Sequence, residues 1–202
     1  MLVLQECEYN GFKYDLEKSK RLGDELIGRA GEISRELLLS FPGIPVNFSS
    51  PQHISACLYG GLIKVDVREP YEFRYKDGTV KIKERWITKI YELPRLVEPL
   101  KGSQLVKEGY WSVAEDILGE LRATKTAKKI IALLMELSLV ETKIERYYHG
   151  IPKKYEELGW QGGVIHGQLN QCVAKTGRLS SSNPNMQNMD GEAKICFVSR
   201  FE

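Results

Sequence analysis

At 202 residues, 42% hydrophobic and 28% charged, the chain is long enough to bury one large core or two small ones. Its formal net charge of +2 is too small to mark a nucleic-acid binder by the total, so such a role would rest on where the charges lie. Cys7, Cys57, Cys172 and Cys196 stand far apart, with no C-x-x-C pair or histidine at ligand spacing; that argues against a zinc site or a disulfide framework and fits a reducing cytoplasm.

The opening MLVLQECEYNG has an acidic residue inside its apolar run and no basic leader, and no later stretch approaches the roughly 20 apolar residues of a bilayer span. From Leu16 to Phe41, Leu22, Leu26, Ala30, Ile33 and Leu37 recur at steps of three or four behind Asp15, which predicts a long capped amphipathic helix. FPGIPVNFSS breaks that pattern. Ser50 before Pro51 then reads as an N-cap with proline at the first helical position, opening a short helix to about Leu58.

Between Gly60 and Gly102 the period becomes two. Tyr71, Phe73 and Tyr75 alternate with charges, Asp77-Gly78 supplies a two-residue turn, and Val80 and Ile82 are expected back on the face of Phe73 and Tyr75. The hairpin reads as a polar surface insertion with one half-buried face. Ser112-Val113-Ala114-Glu115 has the form of a capping box for a helix to about Leu121. A longer helix is expected from about Thr126 to Tyr148, with Ile130, Leu134, Leu137, Val140 and Ile144 as its buried stripe.

Residues 122–154 hold eight Lys or Arg against three Glu, a local net of +5. They are either a phosphate-binding surface or simply a solvated helix face. After Trp160 the text becomes strand-like, with VIHGQLNQCVAKT alternating loosely and KICFVS, Lys194 to Ser199, reading as an apolar strand.

For chemistry, Ser180, Ser181 and Ser182 with His166 make a weak hydrolytic set, because no G-x-S-x-G elbow is present. A Walker loop and a Gly-rich phosphate fingerprint are also absent. KTGRLSSSNPNMQNM, residues 175–189, instead gathers neutral donors and acceptors around Arg178, with Gly177 allowing close backbone approach. Such groups suit phosphate and sugar oxygens, although a hydrophilic turn would have the same composition.

TGRLSSSNPNMQNM, preceded by VIHGQLNQCVAK, closely resembles the T-G-R-L-S-S-x-x-P-N-L-Q-N-I stretch of family A DNA polymerases, the bacterial polymerase I family and its phage relatives. ECEYNGFKYD resembles that family's M-E-x-x-G-x-x-x-D opening, and VNFSSPQHISACLY its F-N-x-x-S-x-x-Q-L lead-in to the thumb. Lys143 to Tyr148 is similar to the end of the long thumb helix. Only about Gly61 to Gly102 falls outside, as an insertion of the kind more typical of phage members.

The fold this implies is α+β. Residues 1–15 would be a palm-proximal lead-in, 16–150 a helical thumb with a β-hairpin insertion at 61–102, and 151–202 the N-terminal palm with the first strands of an antiparallel sheet. By the resemblance, Arg178 reaches the minor-groove edge of the primer terminus, where every Watson–Crick pair offers an acceptor. Thr176, Gly177, Ser180, Ser181, Asn185, Gln187 and Asn188 line the primer-template, and Lys128, Lys129, Lys143 and Arg146 lie along the product duplex.

The family's reaction uses two metal ions held by aspartates beyond the strand at VSRFE. The resemblance therefore implies no catalytic residue and no bound cofactor in this chain, with Mg2+ serving the complete polymerase. It implies primer-template DNA as partner, together with a C-terminal polymerase chain carrying the rest of the palm and the fingers. A non-catalytic nucleic-acid-binding protein with a polymerase-like fold is the alternative.

Overall fold

The computed structural model describes residues 2–75, 78–105, 109–171, 173 and 175–199. Its elements divide between two units, one of residues 1–32 and 138–202 and one of residues 33–137.

Helix α1 (Leu2–Asn10) leads into β1 (Phe12–Lys13) and the 24-residue α2 (Leu16–Leu39). Asp15 caps α2, its Oδ1 accepting the Lys18 N–H at 2.8 Å, which meets one of the free donors of the first turn. The expected stripe turns inward, with Ile33 and Leu37 fully buried. Helix α3 (Pro51–Tyr59) starts at the expected proline, but the Ser50 side chain does not cap it. Pro51 and Gln52 are exposed, so water can serve the open N–H groups there.

Strands β2 (Gly61–Arg74) and β3 (Val80–Leu93) pair antiparallel along 14 residues each, forming a two-stranded ribbon within the stretch 61–102 expected to hold a hairpin. Asp77 lies outside the described residues, but the register corrects the two-residue turn: Tyr75 N–H donates to Thr79 O at 2.8 Å, and Arg74 pairs with Val80. A two-residue turn at 77–78 would have put Val80 opposite Tyr75. The one-residue shift moves Val80 and Ile82 to the other face and puts Lys81 and Lys83 opposite Phe73 and Tyr71.

Helix α4 (Glu115–Glu120) corrects the capping box. Ser112 Oγ accepts the Ala114 N–H at 3.3 Å and is spent two residues ahead of the helix, so Ala114 is the N-cap. Helix α5 (Lys125–Lys143) starts from Thr124, whose Oγ1 takes the Ala127 N–H at 3.3 Å. It does not stop at Tyr148: a π-helical stretch, Ile144–His149, passes into α6 (Gly150–Glu157). Gly150 permits this, since a Cβ there would lie 2.6 Å from the Glu145 carbonyl oxygen.

Strands β4 (Val164–Ile165), β5 (Gln168–Asn170) and β6 (Ser180–Ser182) are short, with β4 pairing β1 and β6 pairing β5, both antiparallel. The protein is thus mixed helix and strand with small separate antiparallel sheets. KICFVS is not a strand. It closes α7 (Gly191–Lys194) and a turn, and its one bridge is Phe197 to Tyr14. Ala193 and Cys196, both buried, sit at helical spacing, and a short apolar run cannot signal which period it follows.

In the first unit Tyr14, Tyr148, Ile151, Ile165, Met189 and Cys196 form the core beneath residues 175–189. The Tyr14 hydroxyl is bonded to Ser19 Oγ at 2.8 Å, and burial pushes its pKa up. In the second unit Phe41, Phe48, Leu58, Tyr59, Leu93, Leu118, Ile131 and Leu134 are buried. Cys57 there is a buried free thiol, pushed up to about 12 by desolvation, and Cys172 lies outside the described residues. Among the described residues no helix is long and apolar enough to cross a membrane.

Candidate nucleic-acid interface

The segment 175–189 is built as a hydrogen-bonded hairpin followed by a tight turn. Gly177, at φ +72°, takes the chain through a conformation that suits glycine and turns Arg178 outward. Arg178 is exposed and makes no hydrogen bond or ion pair with another described residue. Thr176 is exposed beside it.

Strand β6 then fixes three serines against β5. Ser180 Oγ donates to Asn170 O at 3.3 Å, while Ser182 Oγ accepts from Asn170 Nδ2 at 2.9 Å and donates to Gln168 Oε1 at 3.3 Å. Ser181 is buried, and its hydroxyl donates to Pro184 O and accepts the Met186 N–H, each at 3.3 Å. It holds the turn rather than facing solvent. Asn185 Oδ1 takes the Gln187 N–H at 3.2 Å, leaving the side chains of exposed Gln187 and Asn188 pointing into solvent.

Two cations of the helical run meet this turn. A groove of about 500 Å³ is lined by Glu145, Arg146, Tyr147 and Lys154 on one side and by Asn185, Asn188 and Met189 on the other. Tyr147 OH donates to Asn188 O at 2.8 Å, and Lys154 Nζ donates to Asn183 Oδ1 at 2.9 Å. Arg178 is not among the residues lining this groove.

The other expected cations differ. Lys143 Nζ lies 2.7 Å from both Asp190 Oδ2 and Glu192 Oε2, tying the end of α5 to the start of α7. Those hydrogen bonds, Asp190 first, raise the Lys143 pKa, and the same contact from Lys143 holds Asp190 below the usual carboxylate value. Lys129 pairs with Glu36 at 2.6 Å, and Lys128 is exposed.

His166 does not approach the serines as a base. Its Nδ1 lies 2.8 Å from Glu8 O, and since a carbonyl only accepts, that nitrogen carries the proton.

Residues 92–197 match the family model of DNA polymerase family A. The chain belongs to that family. It is 26% identical over 188 residues to DNA polymerase I of Bacillus subtilis and 27% identical over 187 residues to that of Chloroflexus aurantiacus; each match covers 93% of this chain and 16% of the relative. A shorter match to DNA polymerase I of Synechocystis is 38% identical over 89 residues, 44% of this chain and 8% of the relative. In fold, the chain is similar to the POL domain of Pol1 from M. smegmatis, solved in complex with DNA primer-template and dNTP. The TM-score is 0.61 at 20% identity, covering 96% of this chain and 28% of that one.

Family A chemistry calls for Mg2+ held by carboxylates turned to a common point. Asp190 and Glu192 do converge, but on the Lys143 ammonium, which occupies the place a cation would take. These two residues do not fit the metal. Among the described residues no group of three or more His, Cys, Asp or Glu side chains could hold one.

Lys154 is one of the cations of residues 122–154 but is not placed against the motif by the sequence, and Tyr147 is a site residue that the sequence did not single out. Arg146, Tyr147, Gly150 and Lys154 share one helical face only if the helix runs through Tyr148, and a helix ended there hides that spacing.

Proposed function

We propose that this chain is the primer-template-gripping part of a family A DNA-directed DNA polymerase, with residues 16–150 as thumb and 151–202 as the first part of the palm. The observation that carries this is the groove in which Arg146 and Lys154 face Asn185 and Asn188. Arg146 and Lys154 outnumber Glu145 there and leave a net positive charge for phosphate, while the amides bond sugar and phosphate oxygens without adding charge, a mixture that holds a duplex yet lets it slip. Arg178, outward and unpaired among the described residues, carries five donors in a fixed fork suited to base-edge acceptors in the minor groove. Because A·T and G·C pairs both present N3 or O2 acceptors there, it tests pair shape without reading sequence.

The chain spans 16% of the length of these bacterial DNA polymerase I relatives, so nucleotidyl transfer is assigned here to the larger machine. In this reading Thr176, Gly177, Ser180, Gln187 and Asn188 line the primer-template, Ser181 positions them, and Lys128, Lys129 and Arg146 follow the product duplex. Lys143 reaches the duplex only by leaving its carboxylates. The metal-holding aspartates and the fingers come from a C-terminal polymerase chain.

Fluorescence anisotropy with a blunt hairpin duplex over a salt series tests the grip. Affinity should fall steeply as salt rises, and Arg178→Ala should weaken binding about tenfold, the scale of one lost base-edge contact. Salt-independent or undetectable binding would overturn the reading. Mixing in the C-terminal chain should then give DNA-dependent incorporation that Arg178→Ala reduces.

A further inference from the structure

The ribbon β2–β3 is unlike the rest of the surface, and the family match begins only at Glu92, near its end. Its register sorts the distal half into two chemically different faces. One holds Tyr71 and Phe73 opposite Lys83 and Lys81, with Arg85 opposite Glu69 next along, a net of +2 over these positions. The other holds Glu72 and Glu84 with Arg68 and Arg74, no net charge, among Trp86, Ile82 and Val80. We propose that the aromatic and basic face binds single-stranded nucleic acid, with Tyr71, Phe73 and Tyr75 meeting bases and Lys81 and Lys83 meeting phosphates.

Cations already lie over these rings. Lys83 Nζ is 3.7 Å from the Phe73 ring centroid and 5.2 Å from that of Tyr75, Lys81 Nζ is 5.6 Å from Tyr75, and Arg85 is 5.6 Å from Tyr71. Arg85 and Lys89 have Glu69 as a carboxylate partner, at 3.9 and 3.3 Å. Lys81 and Lys83 pair with no carboxylate among the described residues, and a cation over the half-buried Phe73 or the exposed Tyr75 gains only modestly. A phosphate therefore competes well for these ammonium groups, and drawing Lys83 away frees the Phe73 face for a base.

The spacing favours a single strand. Side chains on one face of a strand recur about every 6.8 Å, and the Phe73 and Tyr75 rings, leaning edge to face, still stand 4.9 Å apart, wider than the roughly 3.4 Å step of a nucleotide in duplex DNA. Successive rings can meet successive bases only in a strand that has unstacked, and a duplex keeps its base faces covered. The opposite face does not suit this ligand. Ile82 and Trp86 there are 76% and 64% exposed, but Glu72 and Glu84 offset Arg74 and Arg68, so that face offers a polyanion no net positive charge.

This inference does not depend on the duplex grip, and the test separates the two. Labelled dT20, an abasic deoxyribose-phosphate strand of the same length and the blunt hairpin duplex are titrated by anisotropy, with circular dichroism confirming that each variant folds. The double variant Lys81→Glu/Lys83→Glu should bind dT20 at least tenfold more weakly. Neutralising the two positions with glutamine should lower the salt slope by about 0.7 for each charge. Phe73→Leu should cost about fivefold or more with the slope unchanged, and Ile82→Ser should cost nothing. Duplex binding should ignore the ribbon variants, and dT20 binding should ignore Arg178→Ala. Unchanged dT20 affinity in the ribbon variants, or equal affinity for the abasic strand, would overturn the proposal. So would a loss with Ile82→Ser equal to that of the lysine variant, which would point to a protein-docking ribbon.

Discussion

The turn at 180–189 and the ribbon at 61–93 both put polar side chains on the surface, but they are held in opposite ways. In the turn, Ser180, Ser181, Ser182, Asn183 and Asn185 spend their hydrogen bonds on neighbouring backbone and side chains. The loop is thereby fixed before any ligand arrives, and little rotamer freedom remains to be lost on binding. In the ribbon the backbone ladder does the holding, and the long side chains rest on one another's rings. A preorganised loop suits a partner of constant shape, such as the minor-groove edge of a duplex. A ribbon of movable cations and rings suits a partner without fixed shape, such as an unpaired strand.

The sharpest way to break this contrast is to loosen the floor of the turn. Ile151 is fully buried in the core under the groove and lies one turn before Lys154 on the same side of α6, at the groove's floor. Ile151→Ala removes three carbons from that core and should cost about 3 kcal/mol, lowering Tm by roughly 6–12 °C. If the turn owes its shape to this core, duplex binding should fall near the new Tm while dT20 binding by the ribbon persists. Simultaneous loss of both would show that the regions do not act separately.

Ser181→Ala is a smaller and more local break. It removes a buried hydroxyl that both donates to Pro184 O and accepts the Met186 N–H, leaving a partly buried N–H without that partner. About 1–2 kcal/mol of stability should be lost. Duplex affinity should drop although Ser181 is buried. Unchanged affinity at full folding would mean that the turn does not need its internal bonds.

How far these features were legible follows the range of the forces behind them. Helix α2 with its Asp15 cap, the proline start of α3 and the buried stripe of α5 depend on residues three or four apart, and the sequence shows them directly. The strings that misled are those decided at a distance or by a single residue. KICFVS lost its strand because Cys196 and Ala193 pack into the first unit's core at helical spacing. Val80 and Ile82 changed face because the ribbon's loop is one residue off the expected register, which no alternation pattern can reveal. The 175–189 motif stood out by its letters alone, but its partnership with Lys154 and Tyr147 needed the π-helical passage through Gly150.

The smallest effect concerns the tie between α5 and the end of the motif region. Lys143, Asp190 and Glu192 are 21%, 34% and 65% exposed, so solvent screens the cluster and its net worth is about 0.5 kcal/mol. Its pH dependence has two sides. Asp190 is held below its ordinary 3.8, so its share is present above that value and is lost as pH falls through the lowered folded value. Lys143 is held above its ordinary 10.5, so its share is present below that value and is lost as pH rises through the raised one. Lys143→Met should therefore lower Tm by about 1–2 °C, evenly between about pH 5 and pH 9. The gap from the unsubstituted protein should close as pH falls well below 3.8. Calorimetry of both proteins across that range checks it, and a gap undiminished in acid would mean that Lys143 acts through the packing of its methylene stem rather than its charge. In that case the tie would resemble the ribbon, where long stems and rings hold one another, more than the hydrogen-bonded turn beside it.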